Sequence, residues 1–565
     1  MRTMNNHKMI LLVLLVLSFL PVHIFAIRRL PTTMLRPPRL TVVIVVDAMG
    51  YHYMQKLLPY FNYGIKTLLD KGVVYTNAYW PHGTPSTGPG HAGLNTGVYG
   101  KDNGIVCNSW IDGQGNKIEC DDDSADHAAV IGQNGWYNYG KSPNNLIVPG
   151  VSDSLALQSQ PCAKTRVFSI SLKSRAAICT AGKEKNNQAI WFDPKTGCMT
   201  SSTYYGSTLP DWVERFNKTS KIKDLTSFKW DLLYPENSEY YCFYDIKAHE
   251  VARSDKQMLG VKISATGDKT DFYHLFEKTP IANQMLFDCA KACIKANLGY
   301  NRDDRMLLWI SLSPLDKLGH IYGPESLAVI DMLYQLDYQL HCFMHYVDQR
   351  IKRSDVTYIF TADHGMGPIP ELLDSRGYPA SRDNSKVVEQ KINEKIAQKT
   401  GKAIKTFIKT PNVYFSHEYE LLDKKQQRDV LKTAKSVLRS QKSVKNVWTP
   451  KELKAFSGTD YQIESFYKNQ YYKGRSGHLI VQTVPFGQLT KYDGGTTHEG
   501  PYEVNTHVPL MVYRHQFFEH KMVNSKVSML QVANTIAQIL HVPKPAASTS
   551  LLLPGLIPAE VDFVL

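Results

Sequence analysis

Short apolar runs rich in Val, Ile, Leu and Phe alternate along this chain with stretches whose apolar residues recur at three- and four-residue steps. The first pattern is that of strands buried on both faces, the second that of amphipathic helices. Their alternation predicts an α/β fold, a three-layer sandwich with a mainly parallel central sheet between helices. The strand candidates are Leu40 to Val46, Val73 to Thr76, Arg166 to Leu172, Met306 to Leu312, Val356 to Phe360 and Val508 to Val512. The longest predicted helix spans Glu325 to Ile351, where Leu327, Ile330, Leu333, Leu336, Leu340, Phe343 and Val347 make one face that packs on the sheet. A shorter helix is expected over Gly64 to Leu69, ending near Gly72.

Two segments break the alternation. Between about 367 and 490 the chain turns to lysine-rich helices, Ser385 to Lys399 and Lys424 to Ser440, and short strands, Val413 to Ser416 and Leu479 to Thr483. This reads as an inserted cap that bounds a pocket. A second, irregular insertion rich in Asn, Asp, Tyr and Trp covers about 180–275. Residues 40–565 are thus expected to form one large domain with two insertions, preceded by a Pro-rich linker over 27–39. Residues 1–26 have the form of a secretory signal peptide: basic Arg2 and Lys8, an apolar run from Ile10 to Leu20, and Ala26 as cleavage point. Ile24 is bulky for that cleavage site, and Arg28 and Arg29 blur the charge asymmetry, so an uncleaved anchor is the alternative. The expectation is a periplasmic or secreted monomer, touching a membrane only if the leader is retained.

A chain of 565 residues, 43% hydrophobic and 21% charged, builds a large core and is not disordered. Its formal charge of +13 suits anionic substrates and steers them inward. Lys and Arg are spread along the chain without a basic stripe, so nucleic acid is not an expected partner. Nine cysteines are compatible with an oxidising compartment, but none are spaced as a zinc ribbon, and the odd count leaves at least one without an intrachain partner.

The chemistry gathers at the ends of the predicted strands. Thr361-Ala362-Asp363-His364-Gly365-Met366-Gly367 puts an adjacent Asp and His just past an apolar run, where both can point at one metal ion. Asp47 follows the first strand, Asp316 and His320 follow the Met306 run, and His498 precedes the Val508 run. Open α/β sheets build their sites at strand C-termini. Asp316 and His320 are one helical turn apart and can share an ion with His498; Asp47, Asp363 and His364 can hold another. Carboxylate and imidazole suit zinc, which keeps a position open when catalytic, although manganese or iron accepts similar shells. Taken singly, each residue could equally be a capping Asp or a satisfied buried His. The segment Thr84-Pro85-Ser86-Thr87-Gly88-Pro89-Gly90-His91-Ala92-Gly93 reads as the entry to a helix, with Ser86 or Thr87 at the cap and Gly88 permitting close approach. A threonine hydroxyl at such a terminus, beside a metal, can become a nucleophile.

The order of Asp47, Thr87-Gly88-Pro89-Gly90-His91 with Asn95-Thr96-Gly97, Asn103-Gly104-Ile105-Val106-Cys107-Asn108, Asp316 to His320, Asp363-His364-Gly365 and Thr496-Thr497-His498 resembles the alkaline phosphatase superfamily. Within it, the chain is similar to the type I phosphodiesterase and nucleotide pyrophosphatase group. Lys173 and Arg175 match the Lys-x-Arg pair of the phosphate-irrepressible alkaline phosphatases. The resemblance implies an alkaline-phosphatase-like fold and two zinc ions, one held by Asp47, Asp363, His364 and Thr87, the other by Asp316, His320 and His498. It implies hydrolysis of small-molecule phosphate monoesters through a phosphothreonine on Thr87, with Asn108, Lys173 and Arg175 on the non-bridging oxygens. The nearest rival is a phosphodiesterase sharing every ligand; more distant is a non-catalytic, metal-stabilised surface protein. A sulfatase needs Cys or Ser where Thr87 stands.

Overall fold

The computed structural model describes residues 36–556 apart from 133–138, 159–162, 246, 249–251, 253–257 and 460–461. The signal peptide, most of the linker and Cys162 therefore lie outside the described residues. All strands and helices among the described residues belong to the unit Pro38–Leu565.

The central sheet is made of β1 (Leu40–Val46), β2 (Val73–Tyr79), β3 (Thr165–Ser171), β4 (Gln188–Asp193), β5 (Cys198–Thr200), β6 (Arg305–Leu312), β7 (Val356–Thr361), β8 (His507–Tyr513) and β9 (Lys521–Val523). Across the sheet the order is β9-β2-β8-β7-β1-β6-β3-β4-β5, with Val527–Ser528 also paired to β2. β1 lies in the interior of the sheet with all seven residues buried, as its β-branched sequence Leu-Thr-Val-Val-Ile-Val-Val requires of a strand covered on both faces. It pairs in parallel with β6 and β7, and β6 pairs in parallel with β3. β8 runs antiparallel to both of its neighbours, and β5 runs antiparallel to β4. The sheet is otherwise parallel, so the C-terminal ends of β1, β3, β6 and β7 share one edge. Reversed β8 starts at that same edge, which is why a residue before it can meet residues that follow the others.

Four helices matter to the site: α1 (Thr87–Thr96), α2 (Ser174–Ala181), α3 (Pro314–Tyr322) and α4 (Leu327–Asp348). The observed α4 is shorter than predicted at its start because the Ser326 hydroxyl accepts the Val329 N–H and so caps it. Leu333, Leu336, Leu340 and Phe343 of α4 lie in one hydrophobic cluster with the strands, as its periodicity predicts. The segment read as an irregular insertion from about 180 supplies β4 and β5 to the sheet before it becomes irregular. Between 367 and 490, Ser385–Thr400 and Lys424–Arg439 accompany a four-stranded antiparallel sheet of Thr406–Lys409, Asn412–Phe415, Leu479–Thr483 and Val444–Trp448. This lobe has its own core, including Val388, Ile392, Val413, Val430, Leu438 and Val481.

Candidate active site

α1 presents Thr87 as its first residue, and every residue of the helix is buried. The cap expected from Ser86 or Thr87 is not made by either. Instead the Asn108 Oδ1 accepts the Gly88 N–H at 2.7 Å, satisfying a first-turn donor from a distant loop and leaving the Thr87 hydroxyl free of capping duty. The close approach expected at Gly88 is observed, since a Cβ there would meet Cys120 Sγ at 2.9 Å. Gly90 is tighter still: a Cβ would lie 2.6 Å from the Asp363 carbonyl oxygen, so the helix runs directly against that residue.

The six predicted ligands form two sets, Asp47 with Asp363 and His364, and Asp316 with His320 and His498; within each set the ligand atoms lie within 4.8 Å of one another. Each ligand has one atom held and another left open. Among the histidines, His364 Nδ1 meets the Gly365 carbonyl at 2.9 Å, His320 Nδ1 the Thr496 carbonyl at 2.8 Å and His498 Nδ1 the Pro85 carbonyl at 2.8 Å. With Nδ1–H donating to backbone, each ring offers its Nε2 lone pair. Asp363 Oδ1 accepts the Ala48 N–H at 3.2 Å, and the Lys173 ammonium donates to Asp47 Oδ2 at 2.6 Å and Asp316 Oδ2 at 2.5 Å. The remaining Asp47 Oδ1, Asp316 Oδ1, Asp363 Oδ2 and His364 Nε2 are buried without a hydrogen-bond partner. Buried polar atoms are almost always satisfied. Four orphans converging from hard and borderline donors fit cations in these sets.

Electrostatics follow from this packing. Burial, reinforced by Asp316 and Asp363, pushes the Asp47 carboxyl up to about 6. Asp316 is equally buried, yet Lys173 and His320 overcome that penalty and hold it well below the usual carboxylate range. His498 is pushed well below the ordinary imidazole value by burial and then by His364, whose ring stacks on it at 3.8 Å.

Lys173 also reaches Thr87, with Nζ 3.4 Å from Oγ1, so it sits between that hydroxyl and one carboxylate of each set. Arg175, two residues on in α2, has a buried Nε without a hydrogen-bond partner. Of the carboxylates around it, Glu119 and Asp47 act most strongly to keep it charged. The eight cysteines of the described residues are free thiols, and Cys179 is a buried core residue beside Cys120. His91, fully buried on α1, lies inside the motif quoted above, and two of its partners, Ser311 and Asp363, stand on or just after distant strands.

Such a site, on this sheet, defines a class. The chain belongs to the type I phosphodiesterase / nucleotide pyrophosphatase family, whose model matches residues 41–508. It is 29% identical over 530 residues to a protein of Myroides odoratus named calcium-transporting ATPase, covering 92% of this chain and 95% of that one. It is 28% identical over 541 residues to alkaline phosphatase PhoV of Synechococcus elongatus, covering 93% and 94%. The crystal structure of wild-type alkaline phosphatase PafA matches with a TM-score of 0.80 at 26% identity, over 92% of this chain and 99% of that one. The fold is accordingly alkaline-phosphatase-like. No helix among the described residues is long and apolar enough to cross a membrane.

Proposed function

We propose that the chain is an exported alkaline phosphatase that hydrolyses small phosphate monoesters to alcohol and inorganic phosphate through a phosphothreonine on Thr87. The observation that carries this reading is the position of the Thr87 hydroxyl: first residue of a buried helix, free of capping, and 3.4 Å from an ammonium that also touches both ligand sets. Likeness to proteins named alkaline phosphatase supports the same reading.

Two zinc ions, one held by Asp47, Asp363 and His364 with Thr87 and the other by Asp316, His320 and His498, would supply positive charge at the attacking and departing oxygens. The chain's own groups do the rest. The Lys173 ammonium and the field at the start of α1 favour the ionised Thr87 oxygen. That oxygen attacks phosphorus as the bond to the alcohol oxygen breaks, and the alcohol departs with a proton from solvent. Water then cleaves the phosphothreonine, releasing phosphate and restoring the hydroxyl. With its Oδ1 held by Gly88, Asn108 has its amide N–H pair as donor to a non-bridging oxygen. Arg175 has donors to offer another. A monoester phosphoryl group carries more charge than a diester, so fixed cations reward it, each charge-assisted bond contributing on the order of 1.5–3 kcal/mol.

The test compares kcat/KM for para-nitrophenyl phosphate with that for its bis-ester, on zinc-loaded protein with and without Arg175→Ala. A monoester preference that falls by about 10²–10³ in the variant supports the reading, that being the usual cost of one such donor. A diester preference indifferent to Arg175 hands the chain to the phosphodiesterase branch. N-terminal sequencing of the mature protein checks export, with a start just after Ala26 as the expected result.

A further inference from the structure

His91 has no part in the chemistry above, yet it is fully buried one turn after Thr87. Its Nε2 lies 2.8 Å from the Ser311 hydroxyl of β6. Its Nδ1 lies 2.8 Å from the Thr87 carbonyl oxygen and 3.3 Å from Asp363 Oδ2. The Thr87 carbonyl can only accept, so the ring proton sits on Nδ1, facing both Thr87 and Asp363, and Nε2 accepts the Ser311 O–H. Asp363 Oδ2 makes no full hydrogen bond, so the ring's longer contact leaves it open to a cation, and its partner oxygen is already held by the Ala48 N–H. One imidazole thus ties the first turn of α1 to the open oxygen of one ligand set and to β6. The contact at Gly90, where backbone meets Asp363 with no room for a side chain, keeps those parts at fixed separation.

We propose that His91 is a positioning residue: it orients the Asp363 oxygen that faces the metal of the Asp47, Asp363 and His364 set, and aligns Thr87 with it. The inference rests on the two-metal reading but not on phosphatase activity. It has a directional consequence. His91 touches Asp363 and none of Asp316, His320 or His498 among the contacts of the described residues, so its loss weakens one metal site and spares the other. A histidine that merely filled core space would on removal loosen both.

The experiment measures zinc affinity and stoichiometry by competition with a chromophoric chelator, on full-length protein, for the wild type, His91→Ala, His91→Gln and Ser311→Ala. Outer partners of metal ligands typically contribute about 10- to 100-fold in affinity. The expected result is that one of two zinc equivalents weakens by that factor in His91→Ala while the other keeps its affinity. His91→Gln, whose amide N–H can replace the Nδ1 donor, recovers part of the loss. Ser311→Ala, which removes the Nε2 partner and so loosens the ring, gives the same one-site signature at smaller size and stands in should His91→Ala fail to fold. In steady state kcat falls while KM is kept. Equal weakening of both equivalents, or no weakening of either in the folded variants, overturns the proposal. A protein that shows the one-site signature but turns over no phosphate ester would keep this inference and remove the phosphatase reading.

Discussion

The two ligand sets draw on the same two kinds of side chain, carboxylate and imidazole, and differ in how they meet solvent. Asp47, Asp363 and His364 are completely sealed, whereas the side chains of His320 and His498 are 25% and 11% exposed. The sealed set stands at the ends of β1 and β7, inside the sheet; the open one comes from α3 and the loop before β8. They differ in charge too. The sealed set holds two carboxylates and one imidazole, so a divalent cation neutralises it. The open set holds one carboxylate and two imidazoles, so the same cation leaves it positive. Under the proposed mechanism the difference becomes a division of labour: the sealed set would fix the Thr87 oxygen, and the open set would receive the charge that develops on a departing oxygen and then exchange with water.

The sharpest break between nucleophile and ligands comes from Thr87→Ala. Loss of a nucleophile costs on the order of 10⁶ in kcat, and here both metal equivalents should survive it. Rapid quench with a ³²P-labelled ester should show no phosphothreonine in the variant; burst-phase label on the protein would remove Thr87 from the mechanism. Next in size is the order of metal loss. Under EDTA the open set should empty first, and His320→Ala should remove one equivalent, by more than the roughly 10- to 100-fold that an outer partner costs. Metal content by emission spectroscopy against chelation time should therefore show two phases, and a single phase would mean that the sets are equally accessible.

Much of this site was legible because its ligands sit where apolar runs end. Asp47, Asp316, His320, Asp363 and His364 follow their strands, and periodicity locates strand ends. His498 was harder, since it precedes its strand and only the reversed direction of β8 brings it to the shared edge; a short apolar run carries no record of direction. Asn108 was named for its place in a motif, but its hold on the Gly88 N–H, which relieves Thr87 of capping, is a contact between a helix and a loop twenty residues on. His91 stood in plain view in the motif. Its meaning depends on Ser311, 220 positions away, and no local pattern encodes that. β4 and β5 were missed because they open a segment whose later residues are irregular, and composition averaged over the whole hid them.

Smaller effects test how sealed the sealed set is. Gly90→Ala puts a Cβ against the Asp363 backbone, at 2.6 Å from its carbonyl oxygen and 3.0 Å from its Cα, and backbone atoms cannot swing aside. Overpacking of this kind costs about 1–3 kcal/mol, readable as a lower urea midpoint. Unchanged stability would show that α1 and the Asp363 turn can separate.

The last test uses a buried imidazole on the same side. His82 is 2% exposed, its ring stacks on Trp80, and its Nδ1 has no hydrogen-bond partner. Burial first, and His364 second, push it down from 6.5 to about 3. His320, whose partner is Asp316, is instead raised against the same burial penalty. The sign for His82 follows: between pH 6.5 and about 3 the unfolded chain binds a proton that the folded chain refuses. Its contribution is present in full above that window and is lost as pH falls through it, at about 1.4 kcal/mol per pH unit. Urea unfolding measured across the window should show a steeper acid loss in the wild type than in His82→Asn by about that slope. Equal slopes would mean that water reaches His82, and that the wall on this side of the Asp47, Asp363 and His364 set is open.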